Sequence, residues 1–106
     1  MSETCHRICP VKDLAVNSVR KFDIEGKAIA VYNIDGAVYA TDDLCTHGLS
    51  SLSEGTLDGD VVECSLHFGA FHVPTGQPAG APCSVALRTY RTEIQEGIVH
   101  IFADAK

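Results

Sequence analysis

The chain reads as short runs in which apolar and polar residues alternate, each closed by a turn signal. Runs of this period are the mark of strands with one buried face. Residues 6–10 predict a first strand, residues 11–14 a single helical turn, and residues 16–22 a second strand. Runs at 28–34 and 37–41 flank Asp35-Gly36, a strong hairpin signal because that pair tolerates the backbone of a tight two-residue turn. Leu57 and residues 61–63 flank Asp58-Gly59, and runs at 87–94 and 98–102 flank Glu96-Gly97. No sustained helical period, repeat, linker or low-complexity stretch interrupts the pattern. The expected fold class is all-β, a sandwich or partly open barrel, in one domain over residues 1–106.

Charge and cysteine usage narrow the function classes. The net charge is −6, which argues against nucleic acid as a partner. An acidic surface suits steering toward basic patches on other proteins, although an ordinary solvated surface accounts for it equally. The cysteine count is five, an odd number, and Met1-Ser2-Glu3-Thr4 begins no basic-then-apolar leader, so a secreted disulfide scaffold is not expected. No segment approaches membrane-spanning length. The expectation is a cytoplasmic monomer with no nucleic-acid or membrane contact.

Chemistry concentrates at Cys45-Thr46-His47 and Cys64-Ser65-Leu66-His67. Two thiolates and two imidazoles delivered as mixed Cys/His pairs make a metal site. Two Cys and two His also serve structural zinc, but zinc fingers mostly pair Cys with Cys and His with His. The pattern resembles the motif of the Rieske family, which binds a [2Fe–2S] cluster. The resemblance implies Cys45 and Cys64 on one iron and His47 and His67 on the other. Neutral imidazoles in place of two thiolates leave the oxidised centre neutral instead of doubly negative. Reduction is then easier, at ~−150 to +300 mV against roughly −400 mV for plant-type ferredoxins. Because imidazole titrates, the potential should fall with pH once a ligand His loses its remaining N–H.

The likeness runs across nearly the whole chain. Gly48, His67-Phe68-Gly69-Ala70-Phe71, Pro74-Thr75-Gly76 and Ala81-Pro82 match the usual flanking elements, and Ser65 departs from a usual Pro. It implies a Rieske-type base with a small inserted cluster-binding subdomain at about residues 43–84. Respiratory members carry a disulfide between the ligand loops, but the corresponding positions here are Ser50 and Leu66. They also place Ser and Tyr hydroxyls near the cluster, where this chain has Gly69 and Phe71. Fewer hydrogen bonds to sulfur imply a potential low in the Rieske range. A terminal oxygenase would need a second iron site, and the 39 residues after His67 offer too few ligands.

The resemblance therefore implies a ferredoxin of a bacterial aromatic-ring-hydroxylating dioxygenase system, an electron carrier and not an enzyme. It would pass electrons from an NAD(P)H-dependent flavoprotein reductase to a terminal oxygenase. The alternative is the small Rieske-like subunit of a nitrite reductase, many of which have lost cluster ligands. Cys5 and Cys9 read as packing or surface thiols; Cys83 follows the loop proline Pro82, where a place near the cluster is open to it and small-residue packing is the simpler role. His6 and His100 read as structural residues of outer strands, and His72 as facing away from Phe71. Glu54, Asp58 and Asp60 form an acidic stretch between the ligand pairs, more simply a solvated loop than a docking site.

Overall fold

The computed structural model describes residues 3–44, 51–64, 69–80 and 86–104. Its ten strands are β1 (Glu3–Pro10), β2 (Ser18–Ile24), β3 (Lys27–Ile34), β4 (Ala37–Asp42), β5 (Thr56–Asp58), β6 (Val61–Glu63), β7 (Ala70–His72), β8 (Pro78–Gly80), β9 (Thr89–Gln95) and β10 (Ile98–Asp104). Two 3-10 turns, Val11–Asp13 and Leu52–Glu54, complete the regular structure of the described residues. The all-β expectation holds, as does the single turn after β1.

Six strands form an antiparallel sheet in the order β1-β10-β9-β4-β3-β2, and four form a second sheet in the order β5-β6-β7-β8. Three hairpins of the large sheet turn on the pairs Glu25-Gly26, Asp35-Gly36 and Glu96-Gly97. Both residues of each pair have positive φ, as the mirror-image turns that match strand twist require. The second strand starts later than the alternation suggested. Asn17 takes a left-handed backbone with φ 61, and the Ser18 hydroxyl donates to Ala15 O at 2.5 Å. Val16 is left exposed in the turn, and the strand runs on to Ile24.

Strand β3 explains how the two sheets share a core. Its near-continuous apolar run is buried on both faces, because successive side chains point to opposite sides. Ile29 and Val31 pack with Leu14, Ile24, Val38, Tyr90, Val99 and Ile101 within the large sheet. Ala30, Tyr32 and Ile34 face the other way and meet Leu52, Val62, Cys64, Phe71, Val73 and Leu87. The small sheet is thus seated on the even-numbered face of β3.

The chain leaves the large sheet at the end of β4 and returns at the start of β9, and these strands are paired neighbours through Thr41 and Thr89. The small sheet belongs to the excursion between them and packs back onto β3. β10 lies inside that sheet, between β1 and β9. His100 is therefore not on an edge strand, whereas His6 on β1 is.

Candidate metal centre

Of the four expected ligands, Cys64 lies among the described residues. Cys45, His47 and His67 lie outside them, as do Gly48, Ser50, Ser65, Leu66, Phe68, Ala81, Pro82 and Cys83. Cys64 follows β6 directly and is 2% exposed. Its N–H donates to Gly69 O at 2.7 Å, so the residues on either side of 65–68 are hydrogen-bonded to each other. Residues 45–50 are bracketed in the same way. Leu44 and Ser51 form an antiparallel bridge, and Leu52 N–H donates to Asp43 O at 2.7 Å. After β8 the chain is tied down again where Leu87 N–H donates to Gly76 O at 2.7 Å.

These bases converge. Leu52, one residue after the Leu44–Ser51 bridge, and Cys64 belong to one buried cluster with Val62 and Phe71. A Cβ on Gly55 would lie 1.9 Å from Glu63 O, so the backbone that leaves the 3-10 turn lies directly on the strand leading to Cys64. Phe71 is fully buried while His72 is exposed, as their alternation predicted.

Below the site the polar groups are tightly partnered. Tyr32 Oη and Thr41 Oγ1 are 2.9 Å apart, Thr41 Oγ1 donates to Asp42 O at 2.8 Å, and Tyr90 Oη donates to Asp42 Oδ1. Burial pushes the Tyr32 phenol well above its usual pKa. The Thr41 hydrogen bond offsets part of that rise, and the nearby Asp43 carboxylate adds to it. Sequence reasoning missed Asp43, which is 3% exposed. Carboxylates are almost never buried unless paired, and no local pattern in the sequence shows that this one is.

Among the described residues, Cys5, Cys9, His6 and His100 lie in the large sheet. Cys5 is exposed and Cys9 half-buried against the large sheet's core, and neither forms a disulfide. Burial pushes the Cys9 thiol up, with Arg20 opposing. His6 Nε2 is 3.9 Å from Glu25 Oε2, and His100 Nδ1 is 3.1 Å from Ile98 O.

Charge is unevenly distributed. No Lys or Arg occurs between Lys27 and Arg88, a stretch carrying Asp35, Asp42, Asp43, Glu54, Asp58, Asp60 and Glu63. Glu54, Asp58, Asp60 and Glu63 are exposed on or beside the small sheet. The small sheet thus forms an acidic end, and among the described residues every Lys and Arg lies outside it.

A buried cysteine at a strand end, beside two short chain segments held at their bases, defines a small β-protein able to carry a thiolate-bound metal group. The chain belongs to the Rieske [2Fe-2S] domain family, which matches residues 4–91. Ferredoxin CarAc of Metapseudomonas resinovorans is 45% identical over 100% of both chains. The ferredoxin component of the p-cumate 2,3-dioxygenase system of Pseudomonas putida is 41% identical over 92% of this chain and 82% of its own.

Among solved structures, the complex of reduced oxygenase and oxidised ferredoxin in carbazole 1,9a-dioxygenase contains a chain with TM-score 0.91 and 45% identity. The match covers 96% of this chain and 95% of that one. A chain described as an NADH-dependent nitrite reductase small subunit from Mycobacterium tuberculosis has TM-score 0.87 over 98% of both chains, at 19% identity, a likeness of fold alone. The group this family carries is a Rieske-type [2Fe–2S] cluster. The described residues fit it: a buried sulfur donor stands where the two Cys- and His-bearing segments are anchored on one core.

Proposed function

We propose that the chain is the Rieske ferredoxin of an aromatic-ring dioxygenase system, with Cys45 and Cys64 holding one iron and His47 and His67 the other. It is an electron carrier, not the oxygenase. The observation that carries this reading is the position of Cys64, buried on the shared core beside the anchors of both ligand segments. The end-to-end likeness to dioxygenase ferredoxins supports it. The cluster supplies reversible one-electron transfer when bound.

What the chain itself contributes is placement and shielding. Leu52, Val62 and Phe71 pack around Cys64 and exclude water from the cysteine side. The small sheet stands on β3, so the anchors of the ligand segments rest on the core that the two sheets share. We assign the cluster-binding subdomain to about residues 43–84 of a single domain over 1–106. We further infer a monomer working in the cytoplasm between an NAD(P)H-dependent flavoprotein reductase and a terminal oxygenase. No described helix is long and apolar enough to cross a membrane. The acidic end around the small sheet suits attraction to basic partner surfaces.

The test is reconstitution. With purified reductase and oxygenase of a carbazole or cumate system, NADH-dependent hydroxylation should require this chain and scale with its concentration. Failure to accept electrons from any such reductase, together with tight co-purification with a sirohaem subunit, would overturn the reading in favour of a nitrite reductase subunit.

A further inference from the structure

The ligand segments lack the covalent tie that a disulfide would supply, since positions 50 and 66 are Ser and Leu. Yet a continuous set of contacts joins their anchors, and it starts at Asp43. Burying a carboxylate is costly unless its oxygens are satisfied. Here both are used on the far side of residues 45–50. Asp43 Oδ2 accepts from Ser51 Oγ, and Oδ1 accepts from Ser53 N–H at 2.8 Å. Ser51 Oγ and Ser53 Oγ are themselves 2.8 Å apart. The Asp43 main chain adds two bonds, accepting from Leu52 N–H at 2.7 Å and donating to Ala28 O at 3.1 Å.

The carboxylate thus ties together the residues on either side of 45–50 while its backbone is fixed to β3. Two residues past Ser53, Gly55 rests on Glu63. With its Cβ position 1.9 Å from Glu63 O and 3.3 Å from Leu52 O, only glycine fits between the 3-10 turn and β6. Glu63 is followed by Cys64.

We propose that Asp43 is a positioning residue for the cluster: it clamps Ser51 and Ser53 and, through Gly55 on Glu63, holds the Cys45–His47 segment in register with Cys64. The proposal rests on the ligand assignment made above and adds the device that keeps the two halves of the ligand set at a fixed spacing. Two hydrogen bonds to one carboxylate and a glycine-only backbone contact suit a tie that must work without sulfur.

The test uses the holoprotein with Asp43→Asn, Ser51→Ala and, as a control, Thr92→Val. The control removes a hydrogen bond to Val38 O within the large sheet. Three quantities are read: EPR line widths of the reduced protein, the midpoint potential, and the rate of cluster loss to a chelator. Each is compared at matched unfolding stability. Asp43→Asn should broaden the EPR lines, shift the potential and speed cluster loss about tenfold. Ser51→Ala should act in the same direction and less strongly, and Thr92→Val should leave line width and potential at wild-type values.

Variants of Asp43 and Ser51 indistinguishable from Thr92→Val in all three would overturn the clamp. If Asp43→Asn does not fold, Ser51→Ala decides by the same criteria. A wild-type protein without a mixed Cys/His signal would instead overturn the ligand assignment, and the clamp with it. The two failures are therefore told apart before any variant is compared.

Discussion

Replacing Gly76 by alanine tests whether close backbone packing anchors the chain behind the metal centre. Gly76 has φ +78, and a Cβ there would lie 2.4 Å from Leu87 O and 2.9 Å from the Thr89 side chain. The left-handed conformation alone costs a non-glycine residue about 1–2 kcal/mol. The contact with Leu87 O is to main chain and cannot be relieved by rotating a side chain. Relief requires moving Leu87, whose N–H donates to Gly76 O at 2.7 Å, and losing that bond costs about 0.5–1.5 kcal/mol. The expected loss is therefore about 1.5–3.5 kcal/mol.

Gly36→Ala is the reference. It also has positive φ, +93, but nothing lies within 4 Å of its Cβ position, so about 1–2 kcal/mol is expected. Urea unfolding followed by far-UV circular dichroism measures both. Cluster loss to a chelator should also be faster in Gly76→Ala, because Leu87 belongs to the core that contains Cys64. A difference below about 0.5 kcal/mol between the two variants would refute the reasoning, since the smallest hydrogen-bond loss invoked is of that size.

Three further outcomes follow from the geometry. The Tyr32 phenol has its pKa raised in the folded state by burial, so its contribution is fully present below pH ~10 and is lost as pH climbs above that, at about 1.4 kcal/mol per pH unit. Tyr32→Phe should flatten the alkaline limb of the stability curve, and an unchanged limb would contradict it. Gly69→Ser with Phe71→Tyr should raise the midpoint potential by supplying hydroxyls near the cluster, and a lowered or unmoved potential would count against that account. Raising ionic strength should slow reduction of the oxygenase if the acidic end steers docking, so a salt-independent rate would make the charge incidental.

Most of the large sheet was legible because its strands alternate and its turns carry acidic-Gly pairs. Glu25-Gly26 escaped notice although it repeats the logic of Glu96-Gly97, and β2 was placed too early as a result. Val16 looked like a strand residue, but Asn17 after it has the left-handed backbone that asparagine tolerates. The small sheet was harder. Phe71 and His72 in β7 gave only one alternating pair, and β8, a three-residue strand of Pro, Ala and Gly, shows too little alternation to read.

Ser51-Leu52-Ser53-Glu54 has the spacing of a helix capping box. The Ser51 side chain caps nothing and donates to Asp43 instead, a partner eight residues away that no local pattern reveals. Cys64 was legible as a ligand candidate from spacing, and its burial agrees with that role. Cys45, His47 and His67 lie outside the described residues, so their assignment stands on the motif. The role of Asp43 was illegible because either acid of the Asp42-Asp43 pair looks solvated until its burial and partners are known.

The central claim is that two cysteines and two histidines share one two-iron centre. The most direct measurement is the EPR spectrum of the anaerobically reduced protein, beside His47→Ala and His67→Ala. A rhombic signal with average g clearly below the plant-type ferredoxin value, lost or transformed in both variants, is the predicted result. A wild-type sample that is EPR-silent with bound zinc, or a signal unchanged by both substitutions, would contradict it.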